Sequence, residues 1–379
     1  MKVLLFANTD WYLYNFRRDL ALALQGRGDE VVLVSPAGEY AGRLQQMGFR
    51  WLEFPLARRG MNPLAELGSV ARLVRLYRGE RPELVHHFTV KCVLYGSLAA
   101  RLAGIRATVN SITGLGYLFL PGGVFKNLLR RFVRVWYRSV LRGSQVIFEN
   151  REDRQAFLDF GLIRPEGGHL IPGVGVDLER FHPTPLPSGT PVVLLAARLL
   201  WDKGVGEFVA AARRLRSQGV QAVFALAGRT DPGNPASIPD GQIEAWRREG
   251  TLEWWGWIED MAEALGRASL VCLPSYREGL PTVLMEAAAC GRPVVTSNVP
   301  GCRDVTQDGM SGLLVEARDA DGLARALGRL IGDPALCRQM GTAGRALAEE
   351  EFSSAGIQGR ILEVYRIALA KGRRDGINE

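Results

Sequence analysis

Short apolar runs alternate with amphipathic helical patterns along most of this chain, and the alternation breaks once and then restarts. The first set of apolar runs lies near 2–7, 30–35, 49–54, 83–88, 106–112 and 144–149. A proline-rich connector, Pro183-Thr-Pro-Leu-Pro-Ser-Gly-Thr-Pro191, interrupts the rhythm. A second set follows near 191–197, 222–227, 252–255, 269–274, 293–297 and 312–316. Strands alternating with helices predict parallel sheets covered by helices on both faces. Two such sets predict an α/β chain of two doubly wound Rossmann-like domains, at 1–180 and 190–354. With 379 residues and 47% hydrophobic content, each domain has enough chain to bury its own core. A last helical pattern, 355–371, has no strand of its own to pair with.

The most specific chemistry lies in Ser275-Tyr-Arg-Glu278-Gly279-Leu280-Pro281-Thr-Val-Leu-Met-Glu286. The preceding run, 269–274, reads as a buried strand, and Pro281 suits the first position of a helix, where no N–H donor is needed. Backbone N–H groups of Gly279, Leu280 and Thr282 then face an anion. Without a Cβ, Gly279 lets phosphate oxygens approach the backbone, and the helix dipole adds about 0.3–1 kcal/mol. Glu286 falls within the helix, where a carboxylate can accept two hydrogen bonds from a ribose diol. The plainer reading is two glutamates that favour a helix N-terminus.

About eighty residues earlier, Pro191-Val-Val-Leu-Leu-Ala-Ala-Arg198-Leu-Leu-Trp-Asp-Lys203-Gly204 places two cations after an apolar strand. Ligands of open α/β sheets bind at the carboxyl ends of strands, and each charge-assisted hydrogen bond to a diphosphate is worth about 1.5–3 kcal/mol. Arg229, after the strand end Ala225-Leu-Ala-Gly228, is either a contact to a nucleobase, together with backbone near Trp255–Trp257, or a surface residue.

Arg-Leu-x-x-x-Lys-Gly followed by Glu-Gly-x-x-x-x-x-x-Glu resembles the donor site of family-4 retaining glycosyltransferases. Further matches, Tyr14-Asn-Phe-Arg17, Thr89-x-Lys91-x-x-x-Tyr95-Gly96, Asn110-x-x-Thr113-Gly114-Leu-Gly116 and Phe148-x-Asn150, resemble the bacterial subgroup that extends polyprenyl-diphosphate-linked sugars. Bacillosaminyl-diphospho-undecaprenol N-acetylgalactosaminyltransferases belong to it. Cys92, where the subgroup often has proline, and Asp304, where many relatives have glutamate, depart from the pattern. The resemblance implies a GT-B fold with two domains facing a central cleft, and a last helix that crosses back onto the first domain. It implies transfer of a hexose or N-acetylhexosamine from a UDP-sugar to a polyprenyl-diphosphate-linked saccharide. Glu278 would contact the transferred sugar and Glu286 the ribose. Arg198 and Lys203 would stabilise charge on the departing diphosphate, as positioning and electrostatics suffice for an activated donor. His87, at a strand end, is a candidate to orient a substrate. Arg17, Lys91, Thr113, Gly114 and Gly116 are candidates for the acceptor's diphosphate and lipid-linked sugar. Rival readings are a UDP-sugar 2-epimerase and an inactive sugar-nucleotide-binding subunit.

No metal or other cofactor is expected. Asp319-Ala-Asp321 precedes a helix and reads better as a cap than as a ligand pair. Cysteines 92, 272, 290, 302 and 337 lack zinc spacing and read as reduced cytosolic thiols. A net charge of +7 points to an anionic partner. Lys126, Arg130, Arg134, Arg138 and Arg142 recur every fourth residue, with Arg131 beside them, opposite Phe125, Leu128, Leu129, Phe132, Val135 and Trp136. Such a helix lies on an anionic membrane surface or covers the domain with its charges in water. No run is long enough to span a membrane, so the expected location is cytoplasmic, on the inner face of the cell membrane. Nucleic acid is not an expected partner, because no recognition fold accompanies the basic stripe.

Overall fold

The computed structural model describes residues 1–56, 63–114 and 134–375, which form two compact units. The first unit holds Met1–Val174 and the C-terminal segment from Ile357; the second holds Gly175–Gly356.

In the first unit seven strands form one sheet: β1 (Lys2–Phe6), β2 (Glu30–Ser35), β3 (Arg50–Glu53), β4 (Leu84–Phe88), β5 (Ala107–Ile112), β6 (Gln145–Phe148) and β7 (Gly168–Leu170). Their order is β3-β2-β1-β4-β5-β6-β7, with every pair parallel. Alternation along each strand feeds two cores. Leu4, Phe6, Val32, Val34 and Val85 enter one, and Val3, Leu5, Val31, Leu33, Leu84 and Val109 the other. Each fully buried aliphatic side chain stabilises by about 1.5–3 kcal/mol. β7 carries no apolar run, only Gly168-His169-Leu170, so its sequence gives no strand signal. Its place is set by parallel pairing with β6, and His169 Nε2 lies 2.7 Å from Gln145 Oε1.

The last helix, Ser354–Asp375, places Ile357, Ile361, Val364, Tyr365 and Ala368 in the second of these cores. That spacing keeps one stripe facing the sheet. Tyr365 Oη lies 2.7 Å from His86 Nδ1, and Ser111 Oγ is 2.8 Å from the other ring nitrogen, so His86 is spent on joining the helix to the sheet.

The second unit's sheet has six parallel strands: β8 (Val192–Ala196), β9 (Val223–Ala227), β10 (Glu253–Gly256), β11 (Leu270–Leu273), β12 (Val294–Ser297) and β13 (Gly312–Val315). The order is β10-β9-β8-β11-β12-β13. Strand order reverses between β8 and β11, the topological switch point at which such sheets bind ligands.

The boundary differs from the expected one at the proline-rich connector, which lies inside the second unit. The reason is a pair of arginines. Buried Arg292 donates to the carbonyls of Thr184 (2.8 Å), Leu265 (2.9 Å), Gly266 (3.2 Å) and Pro185 (3.3 Å), and also to Thr184 Oγ1. Arg345 donates to the carbonyls of Phe181 (2.8 Å) and Ala289 (2.9 Å). A connector whose carbonyls are satisfied this way folds with the unit that supplies the donors.

Candidate functional site

In the second unit, the loops after β8 and β11 meet at the switch point. Arg198 stands two residues beyond β8. Its guanidinium is exposed and 3.4 Å from Asp231 Oδ2, a loose pair in solvent. The chain then makes a 3₁₀ turn at Trp201–Lys203 and enters the helix Val205–Ser217 through Gly204. Gly204 has φ of +73°, and a Cβ there would overlap the Pro274 carbonyl oxygen. A side chain at 204 would push the Lys203 turn off the end of β11.

Glu278 lies on the loop from β11 to the helix Thr282–Ala289. Lys203 Nζ is 2.5 Å from Glu278 Oε1, and both side chains are largely buried. Two groups 75 residues apart are thus brought together by the crossover from β8 to β11. Pro281 is the N-cap of the helix, with φ of −77° and ψ of 115°, and Thr282 is the first helical residue. The expected first-turn proline is therefore one position outside, and the helix amides open just after Gly279 and Leu280. Glu286 sits on the same helix, half-buried, and accepts no hydrogen bond from the described residues. Burial pushes its carboxyl up to about 7, and the nearby Arg180 cation pulls weakly the other way.

Beyond β9 and β10, the Arg229 guanidinium stacks over the exposed Trp257 ring at 4.7 Å, and Trp254 Nε1 donates to the Gly228 carbonyl at 3.2 Å. The 231–240 loop folds onto the Arg198 segment, with Trp201 N donating to Ala236 O and Ile238 N to Leu199 O. Arg198, Lys203, Arg229, Glu278, Gly279, Leu280 and Glu286 all follow the carboxyl ends of β8, β9 and β11 in this one unit. Asp319 accepts from Gly322 N at 2.8 Å and caps the helix Ala320–Ile331, the role its place before that helix suggests.

The first unit gives a different result. His87 is fully buried, with Nδ1 2.8 Å from Asn110 Oδ1 and Nε2 2.9 Å from Tyr77 Oη. Gly96 packs against its ring, and burial pulls its pKa down to about 4. This corrects the expected catalytic role: both ring nitrogens are used in the core. Arg17 is corrected too. It is buried, donates to Tyr12 Oη at 2.7 Å, lies 4.3 Å over the Phe88 ring and is 3.9 Å from Glu149, so it is no surface cation. Lys91 pairs with Glu66 at 2.8 Å. Thr113 and Gly114 follow β5, while Gly116 lies outside the described residues. So do Lys126, Arg130 and Arg131 of the basic stripe; Arg138 and Arg142 are exposed, and Tyr137, Val140 and Leu141 pack into the core.

Sequence reasoning missed Glu149, at the carboxyl end of β6, whose carboxyl is pushed up to about 7 by burial. It also missed the pairing of Tyr276 Oη to Glu207 Oε1 at 2.7 Å. No local pattern marks either, because both depend on residues far away in the chain.

Two family models match: "Glycosyl transferase 4-like" over residues 2–150 and "Glycosyl transferases group 1" over 190–333. An alpha-maltose-1-phosphate synthase of Mycobacterium tuberculosis is 35% identical over 331 residues, 79% of this chain and 83% of that one. The chain belongs to the GT-B glycosyltransferases of group 1. This glycosyltransferase is also similar to an N,N'-diacetylbacillosaminyl-diphospho-undecaprenol alpha-1,3-N-acetylgalactosaminyltransferase of Campylobacter jejuni. The two are 29% identical over 338 residues, 86% of this chain and 88% of that one. Among solved structures, Anabaena Alr3699/HepE in complex with UDP and glucose superposes with a TM-score of 0.76 at 21% identity, covering 95% of the glycosyltransferase and 98% of that chain.

Proposed function

We propose that this glycosyltransferase transfers a hexose or N-acetylhexosamine, with retention, from a UDP-sugar to a polyprenyl-diphosphate-linked saccharide. The observation that carries the donor half is the Lys203–Glu278 pair at the β8/β11 switch point, beside a helix whose Glu286 carboxyl meets no donor among the described residues. Arg198 and Lys203 supply positive charge where the leaving diphosphate gains negative charge, and the amides at the start of Thr282–Ala289 add theirs. Glu278 accepts from hydroxyls of the sugar, and Glu286 from the ribose diol. Arg229 on Trp257 offers a flat surface to the base. The bond from the sugar's anomeric carbon to the diphosphate oxygen breaks, and a bond to the acceptor oxygen forms on the same face. The acceptor's proton passes to the leaving phosphate, so the reading includes no metal and no separate base.

The acceptor class is supported by the name of the Campylobacter jejuni relative. No helix among the described residues is long and apolar enough to cross a membrane. In this reading the enzyme sits peripherally on the inner membrane face, with the exposed Arg138 and Arg142 toward anionic lipid.

The test is product mass analysis after incubation with a panel of UDP-sugars and a polyprenyl-diphosphate-sugar. The expected result is one added sugar on the lipid, lost in Glu278→Ala. Free UDP without lipid product would overturn the acceptor half, and turnover unchanged in Glu278→Ala would overturn the donor half.

A further inference from the structure

The loop that carries Glu278 leaves the sheet at the end of β11. Between the end of β11 and the helix Thr282–Ala289 it has no regular hydrogen-bonded structure, yet Glu278 must face Lys203 on another crossover. Tyr276 supplies the link. Its backbone N donates to Asp202 O at 2.9 Å, and its hydroxyl donates to Glu207 Oε1 at 2.7 Å, in the first turn of the helix that follows Lys203. Arg318, from the loop after β13, covers the ring at 4.5 Å. Tyr276 thus bonds on both sides of Lys203, to residues 202 and 207, from a position two residues before Glu278. Glu207 Oε2 is buried with no donor, so the tyrosine hydroxyl is the hydrogen bond that this carboxylate has among the described residues.

We propose that Tyr276 is a positioning residue that fixes the Lys203 ammonium against Glu278 by tying the Glu278 loop to both flanks of the Lys203 turn. The proposal rests on the donor-site reading above. A site that stabilises a transition state by placed charges loses rate, more than ground-state affinity, when one charge shifts by a fraction of an ångström. Glutamine at 207 keeps an oxygen that accepts from the tyrosine; leucine does not.

The test is steady-state kinetics with the UDP-sugar that the wild type turns over, together with UDP binding by titration calorimetry, on Tyr276→Phe, Glu207→Gln, Glu207→Leu and the Tyr276→Phe/Glu207→Leu pair. Tyr276→Phe is expected to lower kcat about tenfold, with donor KM and UDP affinity within about threefold. Glu207→Gln is expected to retain most of kcat, and Glu207→Leu to match Tyr276→Phe. The double variant is expected to be no slower than either single one, because both remove the same bond. A kcat in Tyr276→Phe within twofold of wild type, or losses that multiply in the pair, overturns the proposal. If Tyr276→Phe does not fold, the contrast of Glu207→Gln with Glu207→Leu decides. Glu278→Ala run alongside separates the two levels: its loss of turnover beside an unaffected Tyr276→Phe removes the positioning role alone, whereas unchanged turnover in Glu278→Ala removes the donor site itself.

Discussion

Glu286→Gln should make the protein more stable and a poorer enzyme, and the two effects should depend on pH in a defined way. The Glu286 carboxyl is raised from 4.5 to about 7 because burial disfavours its charge, with the Arg180 cation pulling the other way. As pH rises above the ordinary carboxylate value, the unfolded chain ionises at this position while the folded one keeps its proton. Stability is therefore lost between about 4.5 and 7, and the deficit is complete above 7. At 1.36 kcal/mol for each pH unit the deficit is at most about 3 kcal/mol, and about 2 kcal/mol is expected for a half-buried group. Glutamine carries no charge and escapes the deficit. For a unit of this size about 2 kcal/mol corresponds to a rise of about 4–8 °C in Tm at pH 8, with almost no difference at pH 4. Five of the eight tryptophans, at 201, 246, 254, 255 and 257, lie in the second unit, so fluorescence-detected melting follows the relevant transition. Titration with UDP at pH 8 should show affinity about tenfold weaker in the variant, as a charge-assisted bond to the ribose becomes a neutral one. A Tm difference equal at pH 4 and pH 8, or a variant that melts lower at pH 8, would refute the reasoning.

Arg198→Ala should leave Tm within about 1–2 °C, because its pair with Asp231 is exposed and worth under about 1 kcal/mol, while kcat should fall about 10²–10³-fold in the transfer assay. His87→Ala should act in the opposite way: a loss of about 2–4 kcal/mol in denaturant unfolding, from the cavity left behind and the Tyr77 hydroxyl stripped of its partner, while Asn110 Oδ1 keeps the Ser97 donor, with donor KM near that of the wild type. Arg292→Met should lower the second unit's stability by about 2–4 kcal/mol and make the 183–191 connector the first site cut in limited proteolysis, since the carbonyls of Thr184, Leu265 and Gly266 would lose their donor.

The strands near 2–7, 30–35, 83–88, 191–197 and 293–297 were legible because parallel strands buried on both faces are continuous apolar runs, and that pattern is local. The strand-end positions of the proposed donor residues were legible for a related reason. Each follows a strand end in its own motif, and a switch point gathers strand ends whatever the details of packing. The sequence by itself thus determined the two parallel sheets and the position of Arg198, Lys203, Glu278 and Glu286 after strand ends of the second. Tertiary structure alone decided which charges face one another and which are buried. The Lys203–Glu278 pair, the Tyr276–Glu207 bond and the attachment of the 183–191 connector to Arg292 all join residues from separate crossovers. His87 and Arg17 stood beside glycosyltransferase motifs yet folded into the core, because a polar side chain's role depends on the neighbours that reach it. Asn110, Tyr77, Tyr12 and Phe88 reach these two through the packing of the first sheet and its helices. Burial and hydrogen bonding are properties of those neighbours, and a one-dimensional pattern does not hold them.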